Sequence, residues 1–334
     1  MSKLSAMLDV VRAGSNASAL LLLRARKTQR RSLRSEWVAR LARLLLQEAE
    51  HEPADWLRAR QALLRIPGPA LSKVTFAQQV MAGVSCLVCQ PNQHQTCAPH
   101  IVYFHGGGYV VGSADDYRYT LAELASRLHT TVIAPDYRLA PEFPVPAAQN
   151  DCQHVLSAVF QENENRVVLM GDSAGGALVL DVLRQLEEED KSRISGLALF
   201  SPWVSPGRAE GLLDEADADD FLSADILKSW LKQADPDGRY RERLDFSSMQ
   251  HMPVDVPVLV QSGGLEIMQP QIAQFVAHLR HVRAHIDWQE YEGLFHVFQT
   301  LAPLVPEANL ALQDLTVWWR ERIHEVDLKM GDGV

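Results

Sequence analysis

Ser173 lies in Gly171-Asp172-Ser173-Ala174-Gly175, behind the apolar run Val167-Val168-Leu169-Met170 and ahead of a helical pattern that begins near Ala177. Apolar strand, glycine-bounded turn and helix form the setting that lifts a serine hydroxyl clear of its backbone as a nucleophile. Such a turn leaves no room for side chains two positions before or after the serine. The following helix would aim its N-terminal dipole at Ser173 and at an oxyanion formed beside it. Alone, the motif also fits a glycine-rich turn that holds phosphate. A second segment favours acyl transfer: the apolar run 101–104 enters His105-Gly106-Gly107-Gly108-Tyr109, whose bare backbone amides can donate to a substrate oxygen. Gly107, Gly108 and Ala174 are the expected oxyanion donors, and Gly106 shapes the turn. His105 precedes the serine in chain order and is expected to support this loop by hydrogen bonds rather than carry a proton.

A serine of this kind needs a base, and the base needs an orienting acid, in the chain order serine, acid, histidine. His296 fits the last place: 285–291 reads as a strand, and Glu292-Gly293-Leu294-Phe295-His296 forms the loop beyond its carboxyl end. For the acid, the strand 256–261 leads into Ser262-Gly263-Gly264-Leu265-Glu266, which places Glu266 just past a strand end. Asp255 lies at the wrong end of that strand, and Asp287 and Glu290 lie within the next one. Glutamate is one methylene longer than aspartate, so its loop must retreat slightly to keep the carboxylate on the imidazole.

These groups have to be held by a sheet. Short apolar runs at 84–88, 101–104, 131–134, 166–170, 197–200, 256–261 and 285–291 read as strands, with helical patterns at 119–128, 177–186 and 272–279 between several of them. That alternation predicts an α/β fold with a mostly parallel, doubly wound sheet and its reactive groups at the strands' carboxyl ends. Residues 36–47 and 55–66 read as helices, with Ser35 as the cap of the first. The stretch 203–252 breaks the rhythm. It carries an acidic run at 210–220, expected to be a solvated loop, then a helix from Ser223, and is expected to lie over the sheet's edge.

The 334 residues are 47% hydrophobic and 22% charged, ordinary for a globular protein. A net charge of −10 and the lack of a long basic run argue against nucleic acid or other polyanions as partners. The apolar run 19–23 is too short and too closely flanked by Arg24, Arg26 and Lys27 to span a membrane or to act as a secretory signal. Four cysteines at uneven spacing give no disulfide framework, which points to a reducing cytoplasm. Cys86 and Cys89, with His94 and Cys97 nearby, imitate a zinc ribbon, but residues three apart in a strand point to opposite faces. His278 and His281 lack a further ligand at metal spacing, and 106–112 lacks the dinucleotide-binding pattern. No cofactor and no metal are expected.

With these motifs in view, the chain resembles the hormone-sensitive-lipase-like esterases of the α/β-hydrolase fold from residue 74 to the C-terminus. Beyond the two glycine motifs, the resemblance rests on Asp136-Tyr137-Arg138-Leu139-Ala140-Pro141-Glu142, on the Phe143-Pro144 and Pro146-Ala147-Ala148 that follow, and on Ser201-Pro202-Trp203. It implies Ser173 as nucleophile and His296 as base, an oxyanion hole from Gly107, Gly108 and Ala174, and a cap built from residues 1–73 and the 203–252 insertion on a catalytic domain of 74–334. It implies a carboxylesterase acting on small-molecule esters with short-to-medium acyl groups. The sequence departs from the family at Glu266-Ile267-Met268, where Asp-Pro-Leu is usual, and at Ser205, often an aspartate. A deacetylase or amidase of a specific metabolite would use the same residues, and a noncatalytic ligand-binding module is the reading from another class. A homodimer is compatible with the sequence.

Overall fold

The computed structural model describes residues 12–18, 31–46, 53–63, 65, 67–93, 98–162, 166–206, 208, 220–249, 256–282 and 286–324. The apolar run 19–23, His94, Cys97, Asp255, His285 and most of the acidic run lie outside them. Eight strands form one sheet in the order β1-β2-β4-β3-β5-β6-β7-β8. These are β1 (Val74–Met81), β2 (Val84–Pro91), β3 (His100–Phe104), β4 (Val132–Pro135), β5 (Val167–Asp172), β6 (Ile194–Phe200), β7 (Val258–Gly263) and β8 (Ile286–Tyr291). β1 pairs with β2 and β2 with β4 antiparallel, and every pairing from β4 to β8 is parallel. The doubly wound expectation therefore holds for the part of the sheet that carries the reactive groups. β1 escaped the sequence reading because Val74–Met81 is largely exposed and polar along its middle.

Strand periodicity divides the core in two. On β3, Ile101 and Tyr103 face one apolar layer while Val102 and Phe104 face the other. Helices α3 (Arg118–Leu128) and α8 (Pro306–Trp318) cover the first layer, and α4 (Ala147–Glu162), α5 (Ala174–Gln185) and α7 (Gln269–Val282) cover the second. Each fully buried Leu or Phe in these layers contributes about 1.5–3 kcal/mol. Cys86 and Cys89 fall in different layers, both fully buried, and burial pushes each thiol up to about 12. The sheet itself separates them.

Helices α1 (Leu33–Leu46), α2 (Ala54–Leu63) and α6 (Ala224–Ala234) flank these layers, α1 adding Val38 and Ala39 to the first, α2 and α6 adding Trp56, Leu57, Ile226 and Trp230 to the second. The cap of α1 is Ser32 and not Ser35: Ser35 N–H donates to the Ser32 hydroxyl at 3.2 Å, as an N3 amide does to its N-cap. Sequence pattern cannot separate two serines three apart. Ser35 instead donates its hydroxyl to Glu307 at the start of α8 (2.5 Å), which also accepts from Ser32 N–H (2.5 Å), so one carboxylate ties α1 to α8. Arg58 ties α2 down, donating to the carbonyls of Val110 (2.8 Å) and Ala140 (2.7 Å) and pairing with Glu142. α6 begins at Ser223, whose hydroxyl accepts from Ile226 N–H, and its last residue accepts from Val145 N–H at 2.8 Å. It lies above the strands' carboxyl ends, its Trp230 lining the same cavity as Ser173, rather than over a lateral edge of the sheet. An insertion following β6 emerges at that end, which fixes where it can settle.

Replacing Glu307 by alanine removes the acceptor of both serine groups at the partly buried start of α1. A stability loss of about 1 kcal/mol is expected, measured as a lower urea midpoint at unchanged slope.

Candidate active site

β5 ends at Asp172, and α5 begins at Ala174, three residues earlier than the sequence pattern suggested. Ser173 alone makes the turn, with φ of 51° and ψ of −120°, a conformation that costs a non-glycine residue on the order of 1–3 kcal/mol. The flanking glycines show why the turn tolerates nothing larger. A methyl on Gly175 would stand 2.0 Å from the Phe104 carbonyl oxygen, and one on Gly171 would stand 2.6 Å from the backbone of Gly175. Ser173 N–H donates to the Phe200 carbonyl (3.0 Å), and Trp203 N–H donates to the Ser173 carbonyl (2.9 Å), so the Ser201-Pro202-Trp203 segment braces the turn from the neighbouring strand.

The glycine loop after β3 lies alongside. Gly107 lines the cavity with Ser173 and His296, while a Cβ on Gly108 would strike the Trp230 ring at 2.1 Å. Both have positive φ, at 116° and 61°, which glycine alone adopts without strain. Ala174 opens α5 immediately after the serine, its amide at the positive end of that helix. His105 is buried and stacked on Tyr137 with ring centroids 4.3 Å apart, and the Tyr137 hydroxyl donates to the His105 carbonyl at 2.7 Å. His105 stands away from the cavity lining, on the loop's supporting side. The 136–142 segment is therefore a brace: Tyr137 holds the loop, Arg138 pairs with Asp151 of α4, and Glu142 pairs with Arg58 of α2.

Sequence reasoning gave Asp172 no task. Its buried carboxylate accepts from the Tyr103 hydroxyl (2.7 Å), the Tyr117 hydroxyl (2.8 Å) and Gly106 N–H (3.0 Å), clamping the glycine loop to the serine turn. Burial pushes its carboxyl up, and these donors and the His296 imidazole pull it back. Two tyrosines 14 residues apart give no sequence signal of that clamp. At Ser205, where the related pattern often has aspartate, the hydroxyl donates to Asp245 at 3.1 Å, so a carboxylate still serves this loop from 40 residues further on.

His296 and Glu266 meet as expected. His296 Nδ1 lies 3.0 Å from Glu266 Oε2, with both side chains buried. Burial pushes the Glu266 carboxyl up to about 8 and the imidazole down, the latter opposed by the negative charges of Asp220 and Asp172. His296 Nε2 is buried and has no hydrogen-bond partner among the described residues. Asp220, the last residue of the acidic run, departs from the solvated expectation: it is 1% exposed and takes the amides of Ile267 and His296. Between the glycine loop, the serine turn and α1, α2 and α6 is a cavity of about 270 Å³, its walls largely apolar through Leu45, Leu57, Val111, Leu222 and Trp230. Among the described residues no cluster of potential metal ligands occurs, and no helix is long and apolar enough to cross a membrane.

A serine on a strained turn at a helix start, beside a glycine loop and a buried histidine–carboxylate pair, is the arrangement of the serine hydrolases. Residues 101–300 match the family described as alpha/beta hydrolase fold. An esterase of Acinetobacter venetianus is 30% identical over 222 residues, covering 64% of this chain and 72% of that protein. An acetyl-hydrolase of Streptomyces hygroscopicus is 26% identical, covering 64% and 72%. The crystal structure of a hormone-sensitive lipase from a metagenome library is 26% identical with a TM-score of 0.72, covering 84% of this chain and 97% of that one. The chain belongs to the α/β-hydrolases, in their hormone-sensitive-lipase family, and is an esterase.

Asp172→Asn turns one acceptor into a donor facing a buried hydroxyl. It is expected to cost about 1–3 kcal/mol of stability, read by chemical denaturation, and to lower kcat by loosening Gly106.

Proposed function

We propose that the chain is a carboxylesterase for short-to-medium acyl esters, with Ser173 as nucleophile, His296 as base and Glu266 as orienting acid. The observation that carries this reading is the 3.0 Å contact of His296 Nδ1 with Glu266, which leaves Nε2 for the serine in the cavity that Ser173 and His296 line. Ser173 Oγ attacks the ester carbonyl carbon as its proton passes to His296 Nε2. Glu266 supports the imidazolium so formed, and the tetrahedral oxyanion is held by the amides of Gly107, Gly108 and Ala174. Collapse of the intermediate breaks the bond to the alcohol, which leaves with the proton from Nε2. Water then gives a proton to His296 and attacks the acyl-serine, releasing the acid and restoring the hydroxyl. No cofactor enters these steps.

The cavity supports the substrate class. About 270 Å³ with mostly apolar walls suits a small acyl group better than a long lipid chain. Residues 1–73 and the 203–252 insertion act in this reading as a cap over the catalytic domain of 74–334, with α1, α2 and α6 supplying the apolar walls. The name of the Streptomyces relative, an acetyl-hydrolase, agrees with a short acyl group and keeps a deacetylase of a specific metabolite as the second reading.

Ser173→Ala is expected to abolish turnover of p-nitrophenyl acetate, and parent-rate hydrolysis by that variant would refute the mechanism. Glu266→Gln is expected to lower kcat by roughly 10²–10⁴-fold in stopped or continuous assays. Trp230→Ala opens the wall above Gly108 and is expected to raise kcat/KM for p-nitrophenyl octanoate relative to the acetate by about tenfold.

A further inference from the structure

Asp220 joins parts of the chain that meet only at the site. Its Oδ2 accepts from Ile267 N–H at 3.0 Å, the amide directly after Glu266. Its Oδ1 accepts from His296 N–H at 3.2 Å and from Phe221 N–H at 2.7 Å. One carboxylate thus grips the backbone of the acid loop and of the base loop at once. Its position is fixed from the far side, where Arg43 of α1 donates through Nε (2.7 Å) and Nη2 to the Asp220 carbonyl. Burial pushes this carboxyl up, and the His296 imidazole and the amides on its oxygens pull it back.

We propose that Asp220 is a positioning residue for the ester hydrolysis: it sets the separation of Glu266 from His296 and supplies a negative charge that favours the imidazolium formed when Ser173 gives up its proton. The proposal rests on the triad reading above. The groups facing His296 come from several elements. Glu266 holds Nδ1, Asp172 approaches from the serine turn, and the Phe221 ring lies 6.0 Å from the imidazole. On the N-terminal side, Arg31 lies over Phe295, 5.9 Å from the ring centre, with its charge taken up by Glu36, and Arg43 is engaged with the Asp220 carbonyl. Of the carboxylates that draw His296 upward, Asp220 acts most strongly. Removing its charge makes proton uptake by the imidazole less favourable, so the acid limb of the pH–rate profile moves to lower pH.

The test is Asp220→Asn, assayed on p-nitrophenyl acetate across pH. The expected result is a fall in kcat of about tenfold or more with KM within about twofold, and an acid limb of kcat/KM displaced to lower pH. A merely structural role would lower stability and leave the limb in place, so an unmoved limb overturns the proposal. Should Asp220→Asn not fold, Asp220→Ser is read by the same limb. Loss of activity in Ser173→Ala together with an unmoved limb in the Asp220 variant defeats this proposal alone; activity surviving in Ser173→Ala defeats the triad reading beneath it.

Discussion

At Ser173 the chain passes from strand to helix in a single residue, with φ of 51°, and the backbone of Gly175 comes to rest against the carbonyl of Phe104. That close approach brings the end of β5 and the glycine loop after β3 into one place. Because β3 and β5 are parallel neighbours, both segments leave the sheet on the same side. β6 adds Ser201-Pro202-Trp203 behind the turn, β7 delivers Glu266 and β8 delivers His296, each from its carboxyl end. The site is therefore a property of strand direction and order, and the strained serine turn is the point at which the separate contributions have to agree.

Strain at such a point persists only where its surroundings over-determine it. Ser173 is held by backbone hydrogen bonds on both of its peptide groups, and Asp172 beside it is held by two phenols and an amide. The glycine loop is held in turn by the Tyr137 hydroxyl and by stacking on His105. Buried carboxylates recur in this support: Asp172 clamps the loop, Asp220 spans the acid and base loops, and Glu266 faces the imidazole. Asp172 and Asp220 are costly to bury and are offset by donors placed around them, whereas burial leaves the Glu266 carboxyl pushed up to about 8. The negative charges of Asp220 and Asp172 also oppose the burial that pushes the His296 imidazole down.

Much of this was legible in the sequence, because tight turns and bare backbone leave marks in residue type. The spacing of Gly171 and Gly175, the glycine run after His105, and the order of Ser173, Glu266 and His296 identified the elements that meet. What stayed hidden were polar residues whose task is set by distant partners. Asp220 sits in an acidic run and looks solvated, yet its partners are 47 and 76 residues away. α4 escaped notice because its buried face mixes Gln149 and Asp151 with Cys152, Val155 and Leu156, and Asp151 is there to receive Arg138. β1 lacked a clean alternation because it lies at the sheet's edge with most of its side chains exposed.

The claim that organises all of this is that Ser173 becomes covalently acylated. It is tested most directly by mixing the protein with an excess of p-nitrophenyl butyrate, quenching in acid during turnover, and mapping the adduct by peptide mass spectrometry. The account predicts a butyryl group on the peptide that contains Ser173 and on no other serine. Turnover with that peptide unmodified, or with the acyl group on a different residue, would contradict it.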